Sequence, residues 1–240
     1  MSLALHTALV TGATRGIGYG IADGLLKAGA RVMITGRDAG RVADAVARLG
    51  TNADDRTRVL GRAVDVRQRA AVDALVAETV KVFGSLNTLI NNAGVGLFTE
   101  VEKTTDDDWA RVIDTNLTGV FHCSRAAIPA MRQAGGGWII NIASLAGRNY
   151  FANGAAYCAS KAGLVAFSES LMLEVRNDNI RVSVVMPGSV ATDFVGPSGR
   201  HADDSWKLTP TDIAEVVMDL LRHPSRSLPS KVEIRPAKTK

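Results

Sequence analysis

Short apolar segments alternate with longer amphipathic segments along the whole chain. The apolar segments are rich in Val and Ile, which is typical of buried strands. In the segments between them apolar positions recur at helical spacing. Strands are predicted over His6–Thr11, Arg31–Thr35, Arg58–Val64, Leu86–Asn91, Trp138–Ile142, Ile180–Met186 and Lys231–Ile234, and helices over Gly16–Ala28, Asp38–Leu49, 67–83, 107–133, 155–177 and 210–222.

This alternation predicts one α/β domain. Strands buried on both faces and separated by helices pair in parallel, with right-handed crossovers. We therefore expect a Rossmann-like, doubly wound parallel β-sheet flanked by helices on both faces. No Pro- or Ser-rich linker interrupts the pattern, so residues 1–240 are expected to form a single domain. The irregular stretch 193–206 is expected to be a substrate-side loop near the carboxyl ends of the strands, where ligands bind in such sheets.

Composition excludes several other classes of protein. No stretch approaches the apolar length of a membrane span, and the first residues lack the features of a signal peptide, so a cytoplasmic location without a membrane partner is expected. The net charge is +4, but Lys and Arg are scattered and aromatic residues make up only 5%, which argues against nucleic-acid binding. Cys123 and Cys158 suggest no disulfide framework. The His residues lack metal-ligand spacing, so no metal site is expected.

A glycine-bearing turn joins the first strand to the first helix. Its sequence is Thr11-Gly-Ala-Thr-Arg-Gly-Ile-Gly18. Glycines at this position allow backbone N–H groups to approach a pyrophosphate, and the helix N-terminus adds partial positive charge. The spacing differs from the G-x-G-x-x-G dinucleotide fingerprint. Such glycines can also form a purely structural turn, but their place directly after the first strand favours cofactor binding.

Further motifs follow the glycine turn in a fixed order. Together they resemble the short-chain dehydrogenase/reductase family over about residues 6 to 192, with an overall similarity to 3-oxoacyl-[acyl-carrier-protein] reductases. The stretch after Thr192 is shorter than in those reductases, and the chain ends Lys231-Val-Glu-Ile-Arg-Pro236 rather than with a Gly-rich segment. The motifs are Asn91-Asn-Ala-Gly94, Asn116, Ser144, Tyr157-Cys-Ala-Ser-Lys161 and Pro187-Gly188.

The resemblance implies an NADP(H)-dependent oxidoreductase that interconverts a carbonyl and a secondary alcohol. Tyr157 would be the proton donor and acceptor, Ser144 would polarise the carbonyl, and Asn116 would hold a water that links Lys161 to solvent. Tyr157 and Lys161 lie four residues apart and share one helix face. A nearby ammonium favours the phenolate, so Lys161 is expected to lower the pKa of Tyr157 from about 10.

Each of these residues also has a structural interpretation. A tyrosine on an amphipathic helix is usually there for packing, and a serine after a strand is usually a turn residue or a helix cap. Asn116 could bond to backbone groups within its own helix. The joint occurrence of all these residues with the glycine turn favours catalysis.

Charge near the second strand predicts the choice of cofactor. In the family an acidic residue at the end of this strand binds the adenosine ribose of NAD. Here Gly36 stands in that place, Arg37 follows, and Arg15 lies in the glycine turn. Guanidinium groups suit bidentate phosphate recognition, so NADP(H) is predicted. The alternative is that both arginines are solvated and Asp38 is the displaced acid, although Asp38 is better placed as a helix cap.

The resemblance also implies the remaining cofactor contacts. Asp65 and Val66 would border the adenine, and Val190 and Thr192 would contact the nicotinamide carboxamide. The complete expected set is Gly12, Thr14, Arg15, Gly16, Ile17, Gly18, Gly36, Arg37, Asp65, Val66, Asn91, Ala93, Gly94, Tyr157, Lys161, Pro187, Gly188, Val190 and Thr192.

The partner of the site is expected to be a small carbonyl or alcohol substrate. Candidate substrate contacts are Ser144, Tyr150 and Phe194. Phe98 and Trp206 could add to an apolar pocket or be ordinary core or interface residues. Anionic substrates could be bound by Arg148 and Arg200, although both could equally be solvated.

Two rival functions and the assembly state follow from the same features. One rival is an NADP-binding regulatory protein without turnover. The other is an NADP-dependent alcohol dehydrogenase that works in the oxidative direction, since the same groups catalyse both directions. The resemblance implies a homotetramer or homodimer built through the long helices predicted over 107–133 and 155–177.

Overall fold

The computed structural model describes residues 3–4, 6–52, 55–195 and 204–238. Within these ranges seven strands form one fully parallel sheet in the order β3-β2-β1-β4-β5-β6-β7, which confirms the predicted doubly wound, Rossmann-like fold. The strands are β1 (Thr7–Val10), β2 (Arg31–Gly36), β3 (Val59–Ala63), β4 (Thr88–Asn91), β5 (Gly137–Ile142), β6 (Ile180–Pro187) and β7 (Lys231–Ile234). The helices are α1 (Gly16–Lys27), α2 (Ala39–Asn52), α3 (Arg69–Phe83), α4 (Asp106–Ile113), α5 (Gly119–Gln133), α6 (Ala155–Val175) and α7 (Pro210–Arg222).

Both faces of the sheet are covered by helices. Successive residues of a strand point to opposite faces, so Ala8 and Val10 of β1 pack on one side and Leu9 packs on the other. The first side is covered by α1 and α7, which contribute Leu25 and Val217 among other buried residues. The second side is covered by α3, α5 and α6. This two-sided burial explains why the strands read as continuous apolar segments in the sequence.

The predicted helix over 107–133 is interrupted. It consists of α4, a π-helical turn over Asp114–Thr118, and α5. The spacing of apolar residues does not predict this turn, because a π-turn depends on tertiary contacts. π-Turns inside α-helices occur frequently at functional sites, and this one contains Asn116.

The carboxyl ends of the parallel strands meet at one edge of the sheet, which we call the carboxyl edge. The glycine turn follows β1, Gly94 lies in the segment after β4, and Ser144 follows β5. The predicted substrate-side loop over 193–206 begins here with a 3-10 turn at Asp193–Val195, while residues 196–203, with Arg200, lie outside the described residues. A parallel bridge between Val190 and Leu208 holds together the two ends of this stretch.

No helix within the described residues is long and apolar enough to span a bilayer.

Candidate active site

The glycine turn is held against the segment that follows β4. Gly12 and Gly16 have φ values of +63° and +59°, in the left-handed region that favours glycine. A Cβ atom on Gly12 would lie 2.7 Å from the Cα of Ala93. The Asn92 Nδ2 donates hydrogen bonds to the carbonyl oxygens of Thr11 (2.9 Å) and Gly12 (3.0 Å). The sequence analysis did not single out Asn92, although it lies within the quoted Asn91–Gly94 motif.

Glycines let several segments at the carboxyl edge lie close to one another. A Cβ on Gly36 would lie 2.7 Å from the Thr14 Cγ2, and one on Gly94 would lie 3.7 Å from the Lys161 Nζ. A Cβ on Gly16 would lie 3.4 Å from the Thr192 Cγ2, so the turn faces the segment after β6. These glycines lie along the carboxyl edge, from the end of β2 past the N-terminus of α1 to the Lys161 side chain, and we call this line of glycines the cradle.

The predicted phosphate-binding arginines lie at two places along the cradle. Arg15 Nη1 is 3.8 Å from Asp193 Oδ2, with both side chains more than 40% exposed, so this ion pair is weak. Asp65 accepts a hydrogen bond from the Arg67 side chain, which is the main cause of its lowered pKa. The positive charge of Arg37 lowers this pKa further. The structure therefore associates Arg37 with Asp65 and Arg15 with Asp193.

A third guanidinium at the turn was missed by the sequence analysis. Arg48 of α2 donates from Nη2 to the Thr14 carbonyl (3.1 Å) and lies over the ring of Tyr19, 4.7 Å from its centroid. Sequence spacing could not reveal it, because α2 and α1 meet only in the folded chain. Asp38 Oδ1 accepts a hydrogen bond from the Arg41 N–H (2.8 Å), which confirms its role as a helix cap.

The side chains of two expected cofactor residues point into the core. Asn91 is buried and donates from Nδ2 to the Asn141 Oδ1 (2.8 Å) and the Ser124 Oγ (3.2 Å). Val66 is also buried and belongs to the hydrophobic core on the α3 side of the sheet. A contact of either residue with a cofactor would therefore have to come largely from its backbone.

The expected catalytic hydroxyls are brought together by β5 and α6. Ser144 directly follows the sheet and its Oγ accepts a hydrogen bond from the Ala146 N–H (3.1 Å), so it does cap a short 3-10 turn. It is also hydrogen-bonded to Tyr157, which lies in the first turn of α6. Lys161 lies one turn further along, with its Nζ 5.8 Å from the centroid of the Tyr157 ring.

Burial shifts the pKa values of Tyr157 and Lys161 in the directions that disfavour their charged forms. It raises the pKa of Tyr157, and the hydrogen bond with Ser144 only partly opposes this effect. It lowers the pKa of Lys161 to about 8, while the ammonium donates to the Ile142 carbonyl (2.9 Å). The expected fall in the pKa of Tyr157 is therefore wrong for the protein alone, because desolvation outweighs the hydrogen bond with Ser144. Tyr157 keeps its proton at neutral pH, as a proton donor must.

Asn116 connects the π-turn to two other segments. Its Nδ2 donates to the Val95 carbonyl (2.9 Å) and to the Ser160 Oγ (3.0 Å), and its Oδ1 accepts from the Val95 N–H (2.8 Å). The alternative that Asn116 bonds within its own helix is thus wrong. Both Nδ2 protons are used within the protein, so the expected relay water would reach this side chain only as a donor to Oδ1.

Aromatic rings surround the Tyr157 side chain. Phe98 meets it edge to face, with 5.6 Å between ring centroids, and Phe194 lies 5.8 Å away at 54°. Tyr150 is largely exposed. The Arg148 side chain forms an ion pair with Glu233 (2.9 Å) instead of extending free into solvent.

The fold and the cradle define a Rossmann-like dinucleotide-binding domain with a Ser–Tyr–Lys cluster. The family model for short chain dehydrogenase matches residues 6–203. An uncharacterised oxidoreductase of Staphylococcus saprophyticus is 35% identical over 233 residues, covering 95% of this chain and 96% of that protein. A putative ketoacyl reductase of Streptomyces coelicolor is 38% identical over 209 residues, covering 85% of this chain and 78% of that protein.

Solved structures agree with this match. A metagenomic short-chain oxidoreductase, crystallised in complex with NADP, has a TM-score of 0.84 and 36% identity, and the comparison covers 97% of this chain and 98% of that one. The chain belongs to the short-chain dehydrogenase family.

Replacing Lys161 by Met should stabilise the fold. The shift of its pKa from about 10.4 to about 8 corresponds to a cost of about 3 kcal/mol for burying the ammonium, and the Met variant avoids this cost. The variant also loses the hydrogen bond to Ile142, which lowers its stability by about 1 kcal/mol. At pH 7 we expect the free energy of unfolding to rise by about 2 kcal/mol, measured by denaturant titration.

The pH dependence of this gain distinguishes its cause. Below pH 8 Lys161 is protonated in both the folded and the unfolded wild-type chain, so the full gain in stability is present. Between pH about 8 and about 10.4 only the unfolded chain keeps this proton, so the wild type becomes more stable with rising pH and the gain of the variant should shrink. The control Lys81→Met removes an exposed lysine of α3 and should change stability by less than about 0.5 kcal/mol. A Lys161→Met gain that does not vary with pH would contradict this explanation.

Proposed function

We propose that this protein is an NADP(H)-dependent oxidoreductase that interconverts a carbonyl and a secondary alcohol, with Tyr157 as the proton donor and acceptor. The observation that carries the proposal is the hydrogen-bonded pair Ser144–Tyr157, one helical turn from a buried lysine and at the end of the glycine cradle. Each residue of this set, taken alone, is also compatible with a purely structural role. Their convergence at the carboxyl edge supports the proposal, because ligands of such sheets bind at this edge.

The two hydroxyls can act on one carbonyl oxygen. When bound, NADPH would supply the hydride for the carbonyl carbon. Tyr157 transfers its phenolic proton to the oxygen, and Ser144 donates a hydrogen bond that stabilises the negative charge developing there. The Lys161 ammonium lies close enough to favour the phenolate that remains on Tyr157. In the oxidative direction the same phenolate accepts the proton of the alcohol.

Charge and space at the end of β2 support NADP(H) as the cofactor. Gly36 stands at the end of that strand without an acidic group, and a Cβ there would already meet Thr14. Arg37 follows it on the surface, and its positive charge suits the 2′-phosphate. The metagenomic relative in complex with NADP agrees with this choice. The other residues expected to contact the cofactor stay predictions.

The substrate is proposed as a ketone, and a 3-oxoacyl thioester is one candidate because of the similarity to a putative ketoacyl reductase. The regulatory alternative without turnover is less well supported, since all the side chains of the catalytic set are present and Ser144 is bonded to Tyr157. An oxidative role as an alcohol dehydrogenase uses the same groups.

We also propose a homo-oligomer in the cytoplasm. Trp109 of α4, Phe121 of α5 and Leu173 of α6 are large apolar side chains between 42% and 58% exposed. They lie on the helices for which the sequence predicts an oligomer interface, and contact between copies would cover them. Cys123 and Cys158 are both free and buried, which is compatible with a reducing compartment.

Replacing Tyr157 by Phe should abolish most of the reductase activity. The substitution removes only the proton donor, so we expect kcat for NADPH-dependent ketone reduction to fall about 10²- to 10⁴-fold. Binding of NADPH, followed by its fluorescence, should change little. Tyr19→Phe is the matched control, because it removes a hydroxyl but keeps the ring under Arg48. Undiminished activity of Tyr157→Phe would refute the mechanism.

Replacing Arg37 by Ala should weaken the binding of NADPH selectively. A hydrogen bond to a charged group contributes about 1.5–3 kcal/mol, so we expect the Kd of NADPH to rise about 10- to 100-fold while that of NADH stays nearly constant. Titration calorimetry with both cofactors measures the difference. Arg41→Ala, an exposed arginine one turn further along α2, serves as the control. Equal losses for NADPH and NADH in Arg37→Ala would show that this residue does not bind the 2′-phosphate.

A further inference from the structure

Three phenylalanine rings form a wall beside the reactive hydroxyls, which we call the aromatic rim: Phe98, Phe151 and Phe194. Phe98 and Phe194 both contact the Tyr157 ring. Phe151 packs against Phe98, with ring centroids 5.9 Å apart. The rim thus extends from Tyr157 outward over the carboxyl edge of the sheet.

The rings come from three different segments of the chain. Phe98 follows β4, Phe151 lies between β5 and α6, and Phe194 follows β6. Each therefore reaches the site from another connection at the carboxyl edge. Their convergence around one tyrosine is a property of the fold and has no counterpart in sequence spacing.

Glycines allow these rings to lie close to the backbone. A Cβ on Gly96 would lie 2.9 Å from both Phe98 Cε2 and Phe194 Cε1. A Cβ on Gly154 would lie 2.8 Å from Phe151 Cζ. Any other residue at these two positions would push the rings away, so the backbone is shaped to the rim.

Much of the rim faces solvent. Phe98, Phe151 and Phe194 are 41%, 48% and 40% exposed, respectively. Adjoining exposed apolar surface of this kind marks a binding site when it lies beside reactive groups. Aromatic rings prefer edge-to-face or offset contacts with a further ring, each worth about 0.5–1.5 kcal/mol beyond the burial of area.

The charged groups next to these segments are paired. Arg148, which the sequence suggested as a contact for an anionic substrate, bonds to Glu233 instead. Asp193, adjacent to Phe194, lies in an ion pair with Arg15. Lys161 is buried behind Tyr157 and donates to Ile142. In the described part of the site, the apolar rings therefore provide the stronger basis for recognition.

We propose that the substrate is a neutral ketone with an aromatic ring next to its carbonyl, held by the aromatic rim. This inference rests on the proposed function. The carbonyl oxygen meets the hydroxyls of Tyr157 and Ser144, and the aryl ring packs against Phe98 and Phe194. A flat ring directly attached to the carbonyl can reach both, because Phe98 and Phe194 flank the tyrosine ring itself.

Three ketones test the proposal with NADPH as the reductant. Acetophenone carries the ring, 2-octanone is neutral without a ring, and 4-acetylbenzoate adds a carboxylate to the ring. Two ring contacts predict that kcat/KM for acetophenone exceeds that for 2-octanone by about tenfold. The carboxylate should lower kcat/KM relative to acetophenone. A kcat/KM for 2-octanone or 4-acetylbenzoate that equals or exceeds that for acetophenone would overturn the proposal.

Substitutions in the rim show whether these rings cause the preference. Phe98→Leu and Phe194→Leu keep an apolar side chain but remove the ring. Each should raise KM for acetophenone about three- to tenfold and lower kcat/KM for 2-octanone by a smaller factor. Val82→Ala is the control, since it removes an apolar side chain that is 49% exposed on α3 and does not belong to the rim. Equal losses for both ketones would mean that the rim serves folding or general access rather than aryl recognition.

A binding measurement separates this proposal from the proposed function. Saturation-transfer NMR on the NADP⁺-loaded protein reports binding of acetophenone and 2-octanone without turnover. Selective acetophenone binding that is lost in Phe98→Leu supports the rim even if no ketone is reduced, and in that case only the proposed reaction fails. Reduction of ketones without any preference for the aryl ligand would leave the reaction intact and refute the rim.

Discussion

The buried ammonium of Lys161 is the constraint on which the geometry of the site depends. A lone charge in the core costs several kcal/mol unless polar groups compensate it. Its donation to the Ile142 carbonyl provides a partner and holds α6 against the end of β5. Gly147 permits this approach, because a Cβ there would lie 2.9 Å from the Lys161 carbonyl oxygen. With α6 fixed in this way, Tyr157 lies one turn earlier and reaches Ser144, two residues beyond Ile142.

Amide side chains hold the other walls of the site in a similar way. Asn92 binds the glycine turn to the segment after β4, and Asn116 binds that same segment to α6 through Val95 and Ser160. Each amide bonds to two partners that are distant in the chain. The cradle and the catalytic hydroxyls are thus parts of one hydrogen-bonded unit. Its buried polar groups are compensated by one another, which favours a single arrangement of the site.

The sequence was sufficient for the features that depend on local pattern. The order of strands and helices follows from apolar periodicity, and the parallel sheet then brings Gly12 and Ser144 to the same edge. Three features depended on tertiary contacts and were not predictable. The π-turn at Asn116 needs its partners at Val95 and Ser160. Arg48 meets Thr14 only after α1 and α2 pack, and the direction of the Tyr157 pKa shift depends on how deeply that ring is buried.

Burial of Tyr157 connects its chemistry to the choice of substrate. The rings of Phe98 and Phe194 remove water from around the phenol and thereby contribute to the rise in its pKa. A substrate ring packed on the same side would exclude more water and strengthen the hydrogen bonds from Tyr157 and Ser144 to the carbonyl. The proton would then remain on the donor until negative charge develops on the substrate oxygen. In the proposed complex, the apolar surface that binds the substrate would therefore also raise the pKa of the acid.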